Sequence, residues 1–361
     1  MALVVQGEGR GHMTQALAAS RFLLDAGHEI VAALVGTSAH RSLPDYFVRQ
    51  MPAEVARFEA PTQVPDRDRV GVSVVGTALD ALRRMPRFLR AGLDIHRRTA
   101  SADVVVNFLD LVGGASRVVY GSRVPAICVA HNYLFDHPAL ADAPGGARAR
   151  ALVRLYTRVT ASRSTARVAL SFTPLAGGPA RLLVAPPLLR PGLDLLEPRD
   201  GGYLMAYVLN AGYGDLLAAW HRRHPGVTVH CYLDGGAGAL AETPAPGFRA
   251  HALEQDAFLA HLAGCRAYVG SAGFESLCEA HYLGKPVLAV PTAGQLEQRL
   301  NAWDAERCGV ARAGTHDDLD EWWAEPTPPP AAAVADFRAW VARAPEILVE
   351  AIERAARVGV S

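Results

Sequence analysis

Two glycine-rich segments, each following a short apolar run, are the positions in this chain best suited to hold an anion. The first is Gly7-Glu-Gly-Arg-Gly-His12, and the second is Gly270-Ser-Ala-Gly-Phe-Glu275. Small residues let the backbone turn sharply and approach a ligand closely. A helix that begins directly after such a turn, as we expect over 13–26, directs N–H groups and its positive dipole end toward an anion. Two such segments predict two α/β halves that face one cleft, with an anionic ligand between them.

The side chains around these segments suit transfer chemistry on a phosphorylated substrate. His12 ends the first turn, where a group that titrates near neutral pH could remove a proton from a hydroxyl or could simply hydrogen-bond the turn. In the second segment, Ser271, Gly273 and the following N–H groups could hold a diphosphate. Glu275 and Glu279 share a helix face because they are four residues apart. A carboxylate there could accept ribose hydroxyls or could only complement the helix dipole.

Several other ligand classes are disfavoured by spacing. The first glycine loop departs from the dinucleotide-binding fingerprint, and no acidic residue closes the next strand to hold a ribose. The chain has neither GxxxxGKS nor GxxxxGKT, so a P-loop nucleotide hydrolase is not expected. The five cysteines lie far apart without a CxxC pair, which predicts reduced, packed thiols and no metal centre. We therefore expect no cofactor.

Length and charge indicate two domains with different ligands. A chain of 361 residues suits two domains of about 150 to 200 residues each. Residues 1–190 hold 23 arginines and 14 acidic residues, a net charge of +9, whereas residues 191–361 hold 13 basic and 22 acidic residues, a net charge of −9. The first apolar run begins at residue 2, and no apolar stretch approaches the ~20 residues of a spanning helix. We expect a cytoplasmic protein without a signal peptide.

The elements that must position these residues follow a βα pattern. Short β-branched runs alternate with amphipathic segments, which is typical of parallel sheets. A proline-rich stretch at 186–202 is the best linker candidate, so we predict domains over 1–190 and 200–335. One or two helices follow over 331–358. The predicted strands are 3–6, 29–35, 103–108, 126–130 and 168–172 in the first half and 203–209, 227–233, 249–253, 267–270, 286–290 and 310–312 in the second.

The segment 270–301, GSAGFESLCEAHYLGKPVLAVPTAGQLEQRLN, resembles the donor-binding segment of GT-B glycosyltransferases. It is similar to that of the lipid-II-forming UDP-N-acetylglucosaminyltransferases and of related UDP-sugar transferases. Residues 7–24 resemble the first glycine loop of the family, and 207–213 resemble the opening strand and loop of its C-terminal domain. The resemblance implies two Rossmann-like domains with parallel sheets facing one cleft. It also implies that a final helix, about 340–361, returns to the N-terminal domain.

The resemblance assigns roles to single residues. Glu279 matches the glutamate that holds the nucleotide ribose, and Glu297 and Gln298 fall where the family contacts the donor sugar. His12 matches a histidine that acts as a base or orients the acceptor. The implied reaction is inverting transfer from a nucleotide diphosphate sugar, most simply a UDP-sugar, without a metal, because helix dipoles and N–H groups stabilise the leaving diphosphate. The residues expected to bind the donor are Gly9, Gly11, Asn210, Ser271, Gly273, Phe274, Glu275, Glu279, Gln295, Glu297 and Gln298.

One further motif has the spacing of a different sugar-transferase class. Asp66-Arg-Asp68 shows the DxD spacing of the metal-dependent GT-A enzymes. It lies between Pro65 and a short polar run, whereas a metal-binding DxD follows a buried strand. We interpret it as a solvated loop.

The acceptor side is less defined. Two basic, amphipathic stretches, 78–100 and 147–167, each carry six arginines among apolar residues. They could be solvated helix faces, or they could contact an anionic membrane surface or a lipid acceptor. Asp110 and His131 follow predicted strand ends, the edge where open α/β sheets bind ligands, so either could touch an acceptor hydroxyl. No nucleic-acid-binding module accompanies the basic residues, so no nucleic-acid partner is expected.

Two rival functions remain open at this point. A UDP-sugar 2-epimerase would share the fold but would need further carboxylates and a histidine around the sugar. A non-catalytic subunit that binds a sugar nucleotide and activates a partner would keep the donor segment and lose the base. His12 argues against this second rival.

Overall fold

The computed structural model describes residues 1–38, 43–62 and 74–358, and Asp66-Arg-Asp68 lies outside these residues. The chain divides into two compact units. Within the described residues, the first unit contains 1–38, 43–62, 74–191 and 339–358, and the second contains 192–338. Each unit is built around its own sheet.

The first unit contains a seven-stranded sheet in which every paired strand is parallel. The strand order is β3-β2-β1-β4-β5-β6-β7. The chain therefore runs outward from β1 through β2 to β3, and then crosses to β4 on the other side of β1 and continues to β7. Ligands bind at this reversal point in open α/β sheets, outside the carboxyl ends of the strands. The strands are β1 (Ala2–Gln6), β2 (Ala32–Thr37), β3 (Val55–Glu59), β4 (Val105–Phe108), β5 (Ala126–Ala130), β6 (Ala166–Leu170) and β7 (Leu182–Ala185).

Helices connect these strands and cover the apolar faces of the sheet. Buried residues from β1, β2 and β4 pack with α4 and α5 in one core that includes Val4, Phe88 and Val112. Full burial of strands on both faces is what a parallel sheet requires. The helices are α1 (Arg10–Asp25), α2 (Asp45–Gln50), α3 (Val74–Arg83), α4 (Met85–Arg98), α5 (Leu111–Val119) and α6 (Ala147–Thr160).

The second unit repeats the plan with a six-stranded parallel sheet in the order β10-β9-β8-β11-β12-β13. Here β8 and β11 occupy the reversal point that β1 and β4 occupy in the first unit. The strands are β8 (Leu204–Tyr207), β9 (Val229–Tyr232), β10 (Phe248–His251), β11 (Ala267–Gly270), β12 (Val287–Ala289) and β13 (Arg312–Ala313). The helices are α7 (Ala211–Arg223), α8 (Gln255–Gly264), α9 (Phe274–Tyr282), α10 (Leu296–Arg307) and α11 (Leu319–Ala324).

Two helices end the chain, as the sequence predicts. They are α12 (Ala331–Val341) and α13 (Ala344–Val358). Residues from Ala339 onward belong to the first unit, where α13 packs against α1 and β5. The Trp340 indole donates a hydrogen bond to the Ser171 carbonyl over 3.0 Å. His28 Nε2 lies 3.0 Å from Glu353 Oε1. These contacts attach the terminal segment to the first unit.

The expected fold class, two parallel α/β sheets of the GT-B type, is confirmed, but the sequence prediction omits β3 and β7. Both lie at the edges of the first sheet. Only Phe58 is buried in β3 and only Ala185 in β7, so neither strand carries the apolar run that marks a central parallel strand. The predicted start of the first helix is also wrong: α1 begins at Arg10 and has Gly9 as its N-cap. Gly11 and His12 therefore lie in the first helical turn.

Candidate functional site

Three helices of the second unit begin at the carboxyl edge of three adjacent strands. Helix α7 follows β8, α9 follows β11 and α10 follows β12. Their N-cap residues are Asn210, Gly273 and Gln295, and in the described part of the chain none of them caps its helix with a side-chain hydrogen bond. The first N–H groups of a helix have no partner within the helix. This edge therefore combines three positive dipole ends with backbone donors, which suits an anion.

Gly273 is a glycine that the fold does not need. Its φ of −72° and ψ of 128° are ordinary for any residue. Among described atoms, a Cβ added there would meet only Ser276 Oγ, at 3.5 Å, which is normal contact. By contrast, a Cβ on Gly270 would lie 2.6 Å from the Tyr268 hydroxyl, so packing explains that glycine. The open space at Gly273 is what the approach of a ligand to the α9 backbone requires.

The turn that leads into α9 is held in a strained conformation. Ala272 has a φ of 46°, a left-handed geometry that costs an L-residue roughly 1–2 kcal/mol. Its carbonyl accepts a hydrogen bond from Asn301 Nδ2 over 3.0 Å, and Asn301 is buried. The Ser271 hydroxyl oxygen accepts from the Leu209 N–H over 3.2 Å, which ties this turn to the turn after β8. Strained residues held by their surroundings cluster at ligand sites.

The loop after β12 is fixed by two side chains. Gln298 is buried and its Oε1 accepts from the Thr292 N–H over 2.7 Å. The Ala293 N–H donates to the Tyr213 hydroxyl oxygen over 2.9 Å. Because Gln298 uses its carbonyl oxygen here, its amide nitrogen is the part that can contact a ligand. Glu297 is half-buried in the first turn of α10.

The two carboxylates of α9 differ in burial. Glu275 lies in the first turn and is 8% exposed, whereas Glu279, one turn further on, is 0% exposed. Phe274, the first residue of the helix, is also buried. The predicted ribose ligand, Glu279, is thus the less accessible of the two carboxylates.

The first unit has a matching glycine at the start of α1. Gly9 has an extended backbone, and no described atom lies within 4 Å of a Cβ added there. Gly7 is different, because its Cβ would lie 2.6 Å from Thr37 Cγ2. Glu8 anchors the loop: its carboxylate accepts from the Ser38 N–H over 2.5 Å and from the Thr62 hydroxyl. The start of α1 is therefore open in the same sense as the start of α9.

His12 is half-buried in the first turn of α1. Its Nδ1 lies 3.1 Å from Gln15 Oε1. An amide oxygen can only accept, so this hydrogen bond places the proton on Nδ1 and the lone pair on Nε2. That tautomer is the one in which Nε2 can take a proton from a hydroxyl.

The two residues predicted for the acceptor make contacts within the first unit. Asp110 is the N-cap of α5, and its Oδ1 accepts from the Gly113 N–H over 2.6 Å. Burial raises the pKa of Asp110 to about 7, against a smaller opposing effect of its backbone hydrogen bonds. His131 is 2% exposed, and its Nδ1 donates to the Leu170 carbonyl over 2.8 Å. Both side chains therefore have structural partners.

The contact residues that sequence reasoning did not select are Tyr213 and Asn301. Both lie inside segments that resemble the family, 207–213 and 270–301, but the sequence does not select them because each acts on a backbone group of a loop distant in sequence. Asn301 follows Gln298 by three residues in α10. That spacing places Gln298 and Asn301 on one helix face, which is a further signal for Asn301.

Two parallel α/β units, each with a glycine-started helix at the reversal point of its sheet, define a protein of the GT-B class. The family model described as glycosyl transferase family 1 matches residues 2–324. The chain therefore belongs to glycosyl transferase family 1 and is a glycosyltransferase.

Solved structures agree in fold at low sequence identity. The chain is similar to LpCGTa in complex with UDP, with a TM-score of 0.62 and 17% identity over 99% of this chain and 98% of that one. It is similar to Arabidopsis thaliana UGT89C1 complexed with quercetin, with a TM-score of 0.60 and 14% identity over 98% and 99% of the two chains. It is also similar to Acinetobacter baumannii MurG, with a TM-score of 0.52 and 16% identity over 98% and 99%. Among curated proteins, none matches the chain in sequence.

Proposed function

We propose that this glycosyltransferase moves a sugar, with inversion and without a metal, from a UDP-sugar to a hydroxyl acceptor. The observation that carries the proposal is the group of three helix starts at the carboxyl edge of β8, β11 and β12, with open space at Gly273. Backbone N–H groups and dipole ends at one edge suit a diphosphate. The complex of LpCGTa with UDP supports uridine as the nucleoside.

We propose that the second unit binds the whole donor. The diphosphate lies at the N–H groups that follow Gly273, with the Ser271 hydroxyl proton as a further donor. The ribose is held by Glu279 according to the family resemblance, although burial favours Glu275 as the reachable carboxylate. Asn210 lies at the start of α7 on the same edge. The remaining proposed donor contacts are Phe274 by its N–H, and Gln295, Glu297 and Gln298 toward the sugar.

The chemistry follows from charge and proton movement. His12 Nε2 takes the proton from the acceptor hydroxyl as its oxygen attacks the anomeric carbon. The bond between that carbon and the diphosphate oxygen breaks, so the leaving UDP gains negative charge. The start of α9 stabilises this charge, and fixed donors of this kind require no reorganisation during the reaction. Attack opposite to the leaving group inverts the anomeric centre.

We propose that Gly9 and Gly11 let a substrate approach the start of α1 beside His12. Gly9 has the open space that this requires. The acceptor class is a small molecule, a glycan or a lipid with a free hydroxyl. The complex of UGT89C1 with quercetin supports a small-molecule acceptor. We propose that Asp110 and His131, which follow the carboxyl ends of β4 and β5, contact the acceptor hydroxyl.

We also propose that the enzyme is cytoplasmic and touches an anionic membrane surface with its basic helices. No helix among the described residues is long and apolar enough to cross a membrane. Leucines on α3 and α6 are nevertheless exposed: Leu82 by 68% and Leu152 by 62%. Leucines beside arginines anchor peripheral proteins on anionic lipid.

Vesicle sedimentation tests the membrane contact. Replacing Leu82 and Leu152 by serine should reduce binding to vesicles that contain phosphatidylglycerol. Leu195→Ser, which changes a leucine of the second unit that is 80% exposed, serves as the matched control. Equal loss in both variants, or no binding by the wild-type protein, would refute the membrane contact and leave the transfer reaction untouched.

Incubation with a panel of nucleotide sugars tests the reaction. Release of nucleoside diphosphate, fastest for a UDP-sugar, is the expected result. A changed sugar with the nucleotide retained would identify a UDP-sugar 2-epimerase, and tight binding without either change would identify an accessory subunit. His12→Ala should lower turnover and leave UDP affinity near the wild-type value, and full activity in this variant would remove its role as base.

A further inference from the structure

Three histidines of the second unit meet on one face of its sheet. His230 lies in β9, His251 ends β10 and His261 lies in α8. Each offers one ring nitrogen, and these three nitrogens lie within 4.8 Å of one another. Imidazole nitrogen is the commonest metal ligand among neutral side chains.

Strand alternation explains how the three histidines converge. Cys231 and Phe248 belong to the apolar core of the second unit. Successive side chains of a strand point to opposite faces, so His230 and His251 project to the other face. Helix α8 lies over that face, as the contacts of its residue His261 show. The His261 ring centroid is 3.9 Å from that of His230 and 5.2 Å from that of His251.

The distances are close to those that one tetrahedral ion requires. Zinc binds imidazole nitrogen at about 2.0–2.1 Å, which places the nitrogens of a tetrahedral site about 3.3 Å apart. His230 Nδ1 and His251 Nε2 are hydrogen-bonded over 3.0 Å, a contact that a bound ion would replace. No pair of the three ligand atoms is more than 4.8 Å apart, so movements of about 1.5 Å would complete the set.

The third histidine is oriented by a tyrosine. The Tyr232 hydroxyl lies 2.6 Å from His261 Nδ1. This hydrogen bond leaves Nε2 as the nitrogen with which His261 can bind an ion. A ligand histidine commonly makes such a hydrogen bond through its other nitrogen, which fixes its tautomer and its ring orientation.

We propose that His230, His251 and His261 form a binding site for one divalent transition metal, of which Zn²⁺ is the reference ion, with water as the fourth ligand. Three imidazoles favour zinc, cobalt, nickel or copper over magnesium or calcium, which prefer oxygen. The site clips α8 to the two strands β9 and β10 at one edge of the sheet. It has a structural role and takes no part in the proposed sugar transfer.

The surroundings of the three histidines both favour and oppose the binding of a cation. Burial lowers the pKa of all three histidines, that of His230 to about 4. Imidazole binds a metal ion in its neutral form. Arg249 lowers these pKa values further through its positive charge, and the same charge opposes a cation at the site.

Calorimetric titration of the tag-free, chelator-treated protein with Zn²⁺ tests the site. We expect one ion per chain. His261→Gln removes a ligand and should weaken binding by at least about tenfold, and Tyr232→Phe should weaken it by roughly the same factor, the usual effect of losing an outer-shell partner. Arg249→Gln should tighten binding severalfold, because it removes the opposing charge.

The controls separate this site from adventitious binding. His224→Gln changes a histidine of the same unit whose Nε2 lies 3.3 Å from Asp320, and it should leave the affinity unchanged. Cys308→Ser, which removes the one cysteine that is not fully buried, should do the same. Cobalt in place of zinc should give the visible absorption of a tetrahedral ion in the wild-type protein, a readout that needs no variant.

Three outcomes would overturn the proposal: no stoichiometric binding by the wild-type protein, an unchanged affinity in folded His261→Gln, or the loss of binding in Cys308→Ser. If His261→Gln fails to fold, the wild-type stoichiometry and the cobalt spectrum still decide. Release of UDP by the metal-free protein is measured separately. A failed metal site and a failed transferase are therefore distinguishable.

Discussion

Gly273→Ala distinguishes whether glycine at this position is required for folding or for ligand binding. The backbone at Gly273 is ordinary, and the nearest described atom to an added Cβ is Ser276 Oγ, at 3.5 Å. An alanine therefore fits without moving any neighbour. It also reduces the freedom of the unfolded chain, a gain of about 0.4–1 kcal/mol, but alanine is a poorer N-cap than glycine. The two effects oppose each other, so the free energy of unfolding should change by less than about 1 kcal/mol.

The expected effect on UDP binding is larger than the effect on stability. The added methyl group occupies the space through which a diphosphate oxygen would approach the first N–H groups of α9. Loss of one hydrogen bond to a charged group costs roughly 1.5–3 kcal/mol. Since 1.4 kcal/mol is about a factor of ten, the Kd for UDP should rise about 10- to 100-fold.

Two measurements on the same protein sample carry the test. Urea unfolding gives the stability and isothermal calorimetry gives the Kd for UDP. Gly226→Ala is the matched control, because it lies before β9 in the same unit and no described atom is within 4 Å of its added Cβ. It should leave UDP affinity unchanged. Unchanged UDP affinity in Gly273→Ala, together with normal stability, would refute the assignment of the diphosphate to α9.

Three other predictions concern buried polar groups. Asn301→Ala removes the donor to the Ala272 carbonyl, so it should lower the free energy of unfolding by about 1–3 kcal/mol in urea titration, and equal stability would contradict the role of Asn301 in holding the turn. Lys285 is buried, and its Nζ donates to two backbone carbonyls over 2.6 and 2.9 Å. Lys285→Met should therefore lower the free energy of unfolding by roughly 2–4 kcal/mol. Differential scanning calorimetry measures this change. The pKa of Asp110 rises from 3.8 to about 7 on burial, so the folded state favours the neutral carboxyl and loses stability as the pH rises from about 4 to about 7. Asp110→Asn should abolish that loss, on the order of 4 kcal/mol, when unfolding is compared at pH 4 and pH 8, whereas the same pH dependence in both proteins would contradict it.

The order of strands and helices is readable from the sequence wherever burial dominates. Central strands such as β1 and β5 are buried at nearly every position, so their apolar runs are continuous. The edge strand β3 carries Arg57 in its middle, so its apolar run is interrupted and the sequence does not indicate a strand there. The start of α1 was predicted too late because Arg10, Gly11 and His12 resemble a turn, while Gly9 alone serves as the N-cap.

The candidate site is readable only in part. The glycine before α9 marks its position, since its spacing after β11 is local information. What holds the site is not local: Tyr213 fixes a loop 80 residues away and Asn301 a turn 29 residues away. The three histidines are also brought together by parallel pairing of β9 with β10 and by the placement of α8. No spacing motif along the sequence indicates such a cluster. The prediction of no metal centre was based only on the spacing of residues along the sequence.

A crystal structure of the protein with UDP tests the central claim most directly. We predict diphosphate oxygens within about 2.7–3.2 Å of the N–H groups at the start of α9, with the ribose at Glu279 or Glu275. Density for UDP at any other place in the second unit, or only in the first unit, would contradict the account.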